Sequence, residues 1–247
     1  MQSVLRSLRV LEAVSELQPI GVSELARTVG LPTSTAQRIM VTLAEAGWLR
    51  QTTDDTGRWT VTAKALVIGR RAIGEVGLRE AATGPMTRLR DLTRETINLS
   101  AVDGTERLVM IERADSDQAV RTFLPLGGLS PLHASSSGRA VLAAFPDDIV
   151  EQVIRRGLAA LTERTTTDPD TLRRKIRETR KCGYAVNMGE NRAGVCAIGA
   201  AVLSRTGTPV AGLSISMPDS RFTRKRVPGW GAMVIAAAGE ISANLRE

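Results

Sequence analysis

Apolar residues recur at helical spacing through the first fifty residues, and then the period changes. Val4, Leu8, Leu11 and Val14 fall on one face of a helix predicted over Ser3–Leu17. Pro19-Ile20-Gly21 breaks it. A second helix is predicted from Ser23, whose hydroxyl is expected to cap the first turn, with Val22, Leu25, Ala26 and Val29 turned inward. Gly30 ends it. Pro32 leads into a third helix, from Thr33 or Ser34 to about Ala46, with Ala36, Ile39, Met40 and Leu43 on its inner face. Gly47 stops that helix. Trp48-Leu49-Arg50 and Arg58-Trp59-Thr60-Val61 then read as paired strands joined by the turn Asp54-Asp55-Thr56-Gly57. Helix, tight turn, helix and a two-stranded ribbon make a winged helix-turn-helix over residues 1–62. That layout makes double-stranded DNA the first partner to consider.

The polar positions left outside agree with this. Thr33, Ser34, Thr35, Gln37 and Arg38 crowd the N-terminal end of the third helix, the end that enters the major groove. Hydroxyls and a helix N-terminus suit phosphate, and Gln and Arg suit the edges of adenine and guanine. Ser23 at the second helix, with Arg50 and Arg58 on the ribbon, completes the DNA-facing candidates.

Residues 63–77 return to a helical pattern interrupted by Gly69, Gly74 and Gly77, which predicts a linker helix with a bend. The larger remainder, 78–247, mixes both periods. A helix over Leu78–Arg94 precedes a hairpin of Ile97–Val102 with Arg107–Ile111 around Asp103-Gly104-Thr105, and Val120–Leu126 is predicted as a third strand. Helices follow over Ser135–Phe145, Asp148–Gly157 and Asp168–Lys181, the last with Asp168 as cap and Gly183 as stop. Strands at 184–187, 195–203 and 210–217 and a helix over Val227–Leu245 finish the chain. The fold class is α+β, with antiparallel hairpins and helices on the faces of a sheet.

Composition changes this picture little. The chain has 247 residues and a net charge of +7. Residues 1–75 carry nine Lys/Arg against seven Asp/Glu, or +2, and the rest twenty-four against nineteen, or +5. The basic excess is therefore not concentrated in the winged helix, and the DNA argument rests on the motif. Two cysteines, Cys182 and Cys196, and one histidine, His133, make neither a disulfide framework nor a metal set, and no cofactor is expected. No apolar run approaches the length of a membrane span. The opening MQSVLRSLRVLEAV reads as an amphipathic helix rather than a signal peptide, so a cytoplasmic protein is expected. The Arg221–Arg226 cluster reads as solvated surface.

Three stretches, in order along nearly the whole chain, resemble one family. SVLRSLRVLEAV with VSELARTVGLPTSTAQRIMVTLAEAGWLR is similar to the winged helix of the IclR family of bacterial transcriptional regulators. PLHASSSGRAVLAAF resembles its PLHATA-G-KA-LA segment, and GYAVNMGENRAGVCAIGAAVLSRTGTPVAGLSISMPDSRFT its C-terminal signature. The resemblance implies a C-terminal GAF-like effector-binding domain, a homodimer or dimer of dimers, and control of operator binding by a small organic or aromatic carboxylate. Carried over by motif, the effector site comprises Ser136, Ser137, Asn187, Val195, Ala197, Ser214 and Ser216, with Thr122 and Ser130 at its rim. Ser136 and Ser137 open a helix whose amides suit a carboxylate; the alternative is that they serve only the local backbone. Val195 with Ala197, and Ser214 with Ser216, share strand faces by the period of two, which turns Cys196 the other way. Asn187 stands at a family position that can be acidic.

Two other readings stay open. One is a constitutive DNA binder whose larger domain senses nothing. The other is a hydrolase using the His133–Ser137 turn, although one histidine and no nucleophile elbow speak against a triad.

Overall fold

The computed structural model describes residues 2–54, 56–72 and 77–245, and their side chains except at 70–72. The chain divides into two compact units, residues 1–74 and 75–247.

The first unit runs α1 (Gln2–Leu17), α2 (Val22–Val29), α3 (Thr33–Glu45), β1 (Leu49–Gln51), β2 (Trp59–Val61) and α4 (Lys64–Ala72). Val10, Val14, Ile20, Leu25, Met40, Leu49 and Trp59 form its core. Gly30 closes α2 at φ 66°, and Leu31 N–H reaches back to Ala26 O at 2.9 Å. β1 and β2 pair antiparallel, Arg50 opposite Thr60, which is the expected wing. Thr62 Oγ1 and Lys64 Nζ donate to the carbonyls of Gly47 and Ala46, both at 2.6 Å, tying the start of α4 to the end of α3. Gly69 does not interrupt α4; the bend expected near Gly74 lies outside the described residues.

Two expectations fail here. Val4 and Leu8 are exposed, because the small core is filled from Val10 onward and the first two turns of α1 bury no apolar side chain. Ser23 is not a cap. Ile20 and Trp59 exchange backbone hydrogen bonds at 3.1 and 2.9 Å, so the chain turns at once and Gly21 takes the N-cap position. Ser23 sits exposed in the first turn.

The second unit runs α5 (Leu78–Thr93), β3 (Thr96–Asp103), β4 (Arg107–Ala114), β5 (Leu129–Pro131), α6 (Ser136–Ala144), α7 (Asp147–Arg156), α8 (Pro169–Cys182), β6 (Ala185–Met188), β7 (Val195–Leu203), β8 (Pro209–Pro218) and α9 (Val227–Asn244). The strands form one antiparallel sheet in the order β5-β4-β3-β8-β7-β6. Ile97, Leu99, Ile198, Leu213 and Ile215 point to one face and pack with Met86, Leu89, Val234 and Ile241 of α5 and α9. Cys196 belongs to this core, as its alternation predicts, and burial pushes its thiol pKa up. On the opposite face Leu108 packs with Val141, Leu142, Val150, Leu172 and Ile176 from α6, α7 and α8.

Val120–Leu126 is not a strand. Arginine side chains satisfy its carbonyls instead: Arg221 binds Val120 O, Arg192 binds Phe123 O, each at 2.7 Å, and Arg113 binds Leu124 O at 2.5 Å. The edge strand forms later, at β5. Arg221 is likewise not solvated surface. It makes two 2.7 Å bonds to buried Glu95, and both this bond and the attraction hold its charge more firmly. Among the described residues, no helix is long and apolar enough to cross a membrane, and no three His, Cys, Asp or Glu cluster to hold a metal.

Candidate DNA interface and ligand pocket

Pro32 precedes α3 in an extended conformation and fixes where the helix starts. Ala36 and Met40 are buried, which turns Thr33, Ser34, Gln37 and Arg38 outward, with Thr35 half-buried. The N–H groups of Thr33 and Ser34 have no partner among the described residues, so the positive end of the helix is open to a phosphate. Arg50 is exposed on β1 and makes no ion pair among the described residues. Arg58 has partners inside the unit. Its Nη2 meets Glu24 Oε2 at 2.6 Å and its Nε donates to Pro19 O at 2.9 Å. These contacts fasten α2 to the wing, while both side chains of the ion pair stay exposed to solvent.

In the second unit, α6 lies close against the sheet because two glycines leave room. A Cβ on Gly199 would stand 2.6 Å from Ser137 N, and one on Gly212 2.7 Å from Ser137 Cβ. Ser135 caps the helix, its Oγ accepting from Gly138 N–H at 3.0 Å. Ser136 and Ser137 are thereby relieved of that task, and their own N–H groups have no partner among the described residues. Both residues line a cavity of about 70 Å³.

All nine residues expected at an effector site line this cavity: Ser136, Ser137, Asn187, Val195, Ala197, Ser214, Ser216, Thr122 and Ser130. Sheet register explains the set. Ser216 lies between Thr96 and Ala197, which in turn faces Asn187; Ser214 lies between Asn98 and Gly199. The cavity is also lined by residues not expected from the sequence, chiefly Asn98, Ser100, Met110, Phe123, Asn191 and Arg192. Asn98 and Ser100 alternate with buried Ile97 and Leu99, so their placement was written in the period of two. Asn191 and Arg192 sit in a loop with no such signal. Among the described residues, no carboxylate lines the cavity, and Arg192 is its one charged lining residue. Asn187 is committed to the walls: Nδ2 donates to Ala134 O, and Oδ1 accepts from Glu190 N–H at 3.2 Å.

A buried ion cluster holds this wall. Arg139, one turn along α6 from Ser136, is 1% exposed and binds Glu190 and Val186 O. Lys175 Nζ and Thr166 Oγ1 meet Glu190 Oε2 at 2.9 and 3.1 Å. Burial works against the Glu190 charge, but Arg139 and Lys175 outweigh it and hold the carboxyl below its usual range. His133 is buried with Nε2 3.0 Å from Ala159 O. A carbonyl only accepts, so this nitrogen carries the proton. Burial pushes the imidazole pKa down. No serine hydroxyl bonds to His133 among the described residues.

A winged helix joined to a sensor-like α+β unit with a polar cavity defines a ligand-responsive type of DNA-binding regulator. Residues 3–53 match the IclR helix-turn-helix domain, and residues 70–243 match the family described as bacterial transcriptional regulator IclR C-terminal. The chain is 34% identical over 245 residues to the acetate operon repressor of Salmonella typhimurium, covering 98% of this chain and 89% of that protein. It is 33% identical over 246 residues to the regulator KdgR of Escherichia coli, covering 99% and 93%. An IclR homologue from Microbacterium hydrocarbonoxydans solved in complex with 4-hydroxybenzoate superposes with a TM-score of 0.83 at 27% identity, covering 99% of both chains. The chain belongs to the IclR family and is a DNA-binding transcriptional regulator.

Proposed function

We propose that a small organic carboxylate, held between the N-terminus of α6 and the faces of β7 and β8, controls operator binding by the winged helix. The observation that carries this reading is that Ser136 and Ser137, whose N–H groups have no partner among the described residues, line a cavity to which no described residue brings an acidic side chain. Helix amides aimed at a cavity favour an anion through both hydrogen bonds and the dipole. The 4-hydroxybenzoate found with the Microbacterium homologue supports an acid as the ligand class.

In this reading residues 1–62 bind DNA, 63–77 link, and 78–247 sense. Ser23, Thr33, Ser34, Thr35, Gln37, Arg38, Arg50 and Arg58 make the DNA contacts. The protein works in the cytoplasm as a homodimer or dimer of dimers, so that two winged helices read half-sites a whole number of turns apart. The acid shifts the balance between dimer arrangements of different spacing, by as much as its affinities for them differ. Operators selected from a random DNA pool, followed by fluorescence anisotropy with and without a panel of carboxylates, test it. An acid that changes operator affinity is the expected result. Equal affinity across the panel overturns it in favour of a constitutive binder.

A further inference from the structure

The cavity holds more hydrogen-bonding capacity than a carboxylate alone would use. Ser100, Ser130, Ser136, Ser137, Ser214 and Ser216 are each at least 93% buried. All six line the cavity, and no hydroxyl among them has a hydrogen-bond partner among the described residues. The carboxamide oxygen of Asn98, in the same lining, is buried and also unpartnered. Hydroxyls in a buried wall need partners, so whatever fills the cavity, water or ligand, is expected to hydrogen-bond to the six serines.

We infer that the occupant is a short aliphatic acid carrying two or more hydroxyl groups, rather than an aromatic or unsubstituted acid. This rests on the carboxylate reading above and narrows it. Serine hydroxyls donate and accept, so they meet ligand hydroxyls in either role. The serine hydroxyls also accept, so the ligand is expected to bring donors; a plain fatty acid, whose carboxylate goes to the α6 amides, has none to spare. An ammonium group would supply donors but would find no carboxylate in the lining. An aromatic ring would find no stacking face in the interior. Among the described residues Phe123 is the one aromatic in the lining; it is 55% exposed and lies under the Arg113 guanidinium at 4.1 Å. The volume of about 70 Å³ also favours a short chain. A deoxy analogue would displace the waters that serve these hydroxyls in the free protein without replacing their bonds.

Matched pairs of equal carbon number test this by calorimetry on the full chain: glycerate with propionate, tartrate with succinate, gluconate with hexanoate, and benzoate and 4-hydroxybenzoate as aromatic arms. At least one hydroxy acid is expected to bind at least about tenfold more tightly than its deoxy partner and than either aromatic acid, the loss expected when even one buried group is left unpaired. Ser100→Ala and Ser130→Ala, which each remove a cavity-lining hydroxyl at smaller size, are expected to shrink that ratio toward one. Pairs that bind equally, or benzoate binding more tightly than every hydroxy acid, overturn the inference while leaving the carboxylate site standing. Binding of none of the acids overturns the carboxylate site itself.

Discussion

Gly199→Ala isolates the close approach on which the pocket depends. In a strand, alanine in place of glycine is ordinarily favourable by about 0.5–1 kcal/mol. Here the new Cβ would sit 2.6 Å from Ser137 N and 2.8 Å from the Ser136 carbonyl carbon. Ordinary contact begins at 3.4 Å, so α6 must retreat by 3.4 − 2.6, or about 0.8 Å. Overpacking of this kind costs about 1–3 kcal/mol, so the sign reverses. For a unit of this size the melting temperature should fall by roughly 2–12 °C. The retreat also carries the Ser136 and Ser137 amides from about 2.9 to about 3.7 Å from a bound oxygen, beyond hydrogen-bond range. Losing one bond to a charged acceptor weakens the acid by about 10- to 100-fold. Differential scanning fluorimetry and calorimetry with the tightest-binding acid read the two effects. Gly239→Ala is the control, since its Cβ meets nothing within 4 Å on an exposed helical position; it should raise the melting temperature slightly. An unchanged melting temperature and unchanged acid affinity for Gly199→Ala would refute the reasoning.

Three further outcomes are expected. Arg38→Ala should weaken the selected operator by about 1–3 kcal/mol with no change in melting temperature, and Arg50→Ala should lower the slope of log affinity against log salt by about one; electrophoretic shift assays read both. Glu190→Gln leaves Arg139 buried without its counter-charge and should cost about 3–5 kcal/mol in urea unfolding, whereas a loss below about 1 kcal/mol would mean the cluster is solvated. The lone His133 gives one titration to follow by NMR. Its folded pKa lies below 6.5 because burial disfavours the cation, so its contribution is full above pH 6.5 and is lost as the pH falls through the folded pKa. The depressed Glu190 acts in the same sense below about pH 4.5. Stability should therefore fall with acid, and His133→Gln should flatten the first part of that fall. A stability that rises between pH 6.5 and 5 would contradict the burial argument.

Much of this fold is legible in local sequence because local chemistry determines it. Gly30, Pro32, Asp168 and Gly183 mark helix ends through their own backbones. The period of two puts Ser214 with Ser216, and Val195 with Ala197, on one face before any pairing is known. What escapes has distant causes. The carbonyls of Val120 and Phe123 look like strand acceptors, but arginines 101 and 69 residues away take them. Glu24, 34 residues before Arg58, gives that arginine an ion-pair partner that its neighbours in sequence do not announce. Ser23 loses its cap role because Ile20 is pinned to Trp59 across the wing. The pocket residues Asn98 and Ser100 were visible as polar positions, yet only the sheet order shows that their strand is central and their face covered.

The central claim is that an acid bound at the α6 N-terminus governs operator binding. It is tested most directly by following the backbone amide resonances of Ser136 and Ser137 during titration with the acid that alters operator affinity. Both amides should move downfield and saturate at the concentration that half-changes DNA binding. Saturation elsewhere in the chain, with these two resonances unmoved, would contradict it.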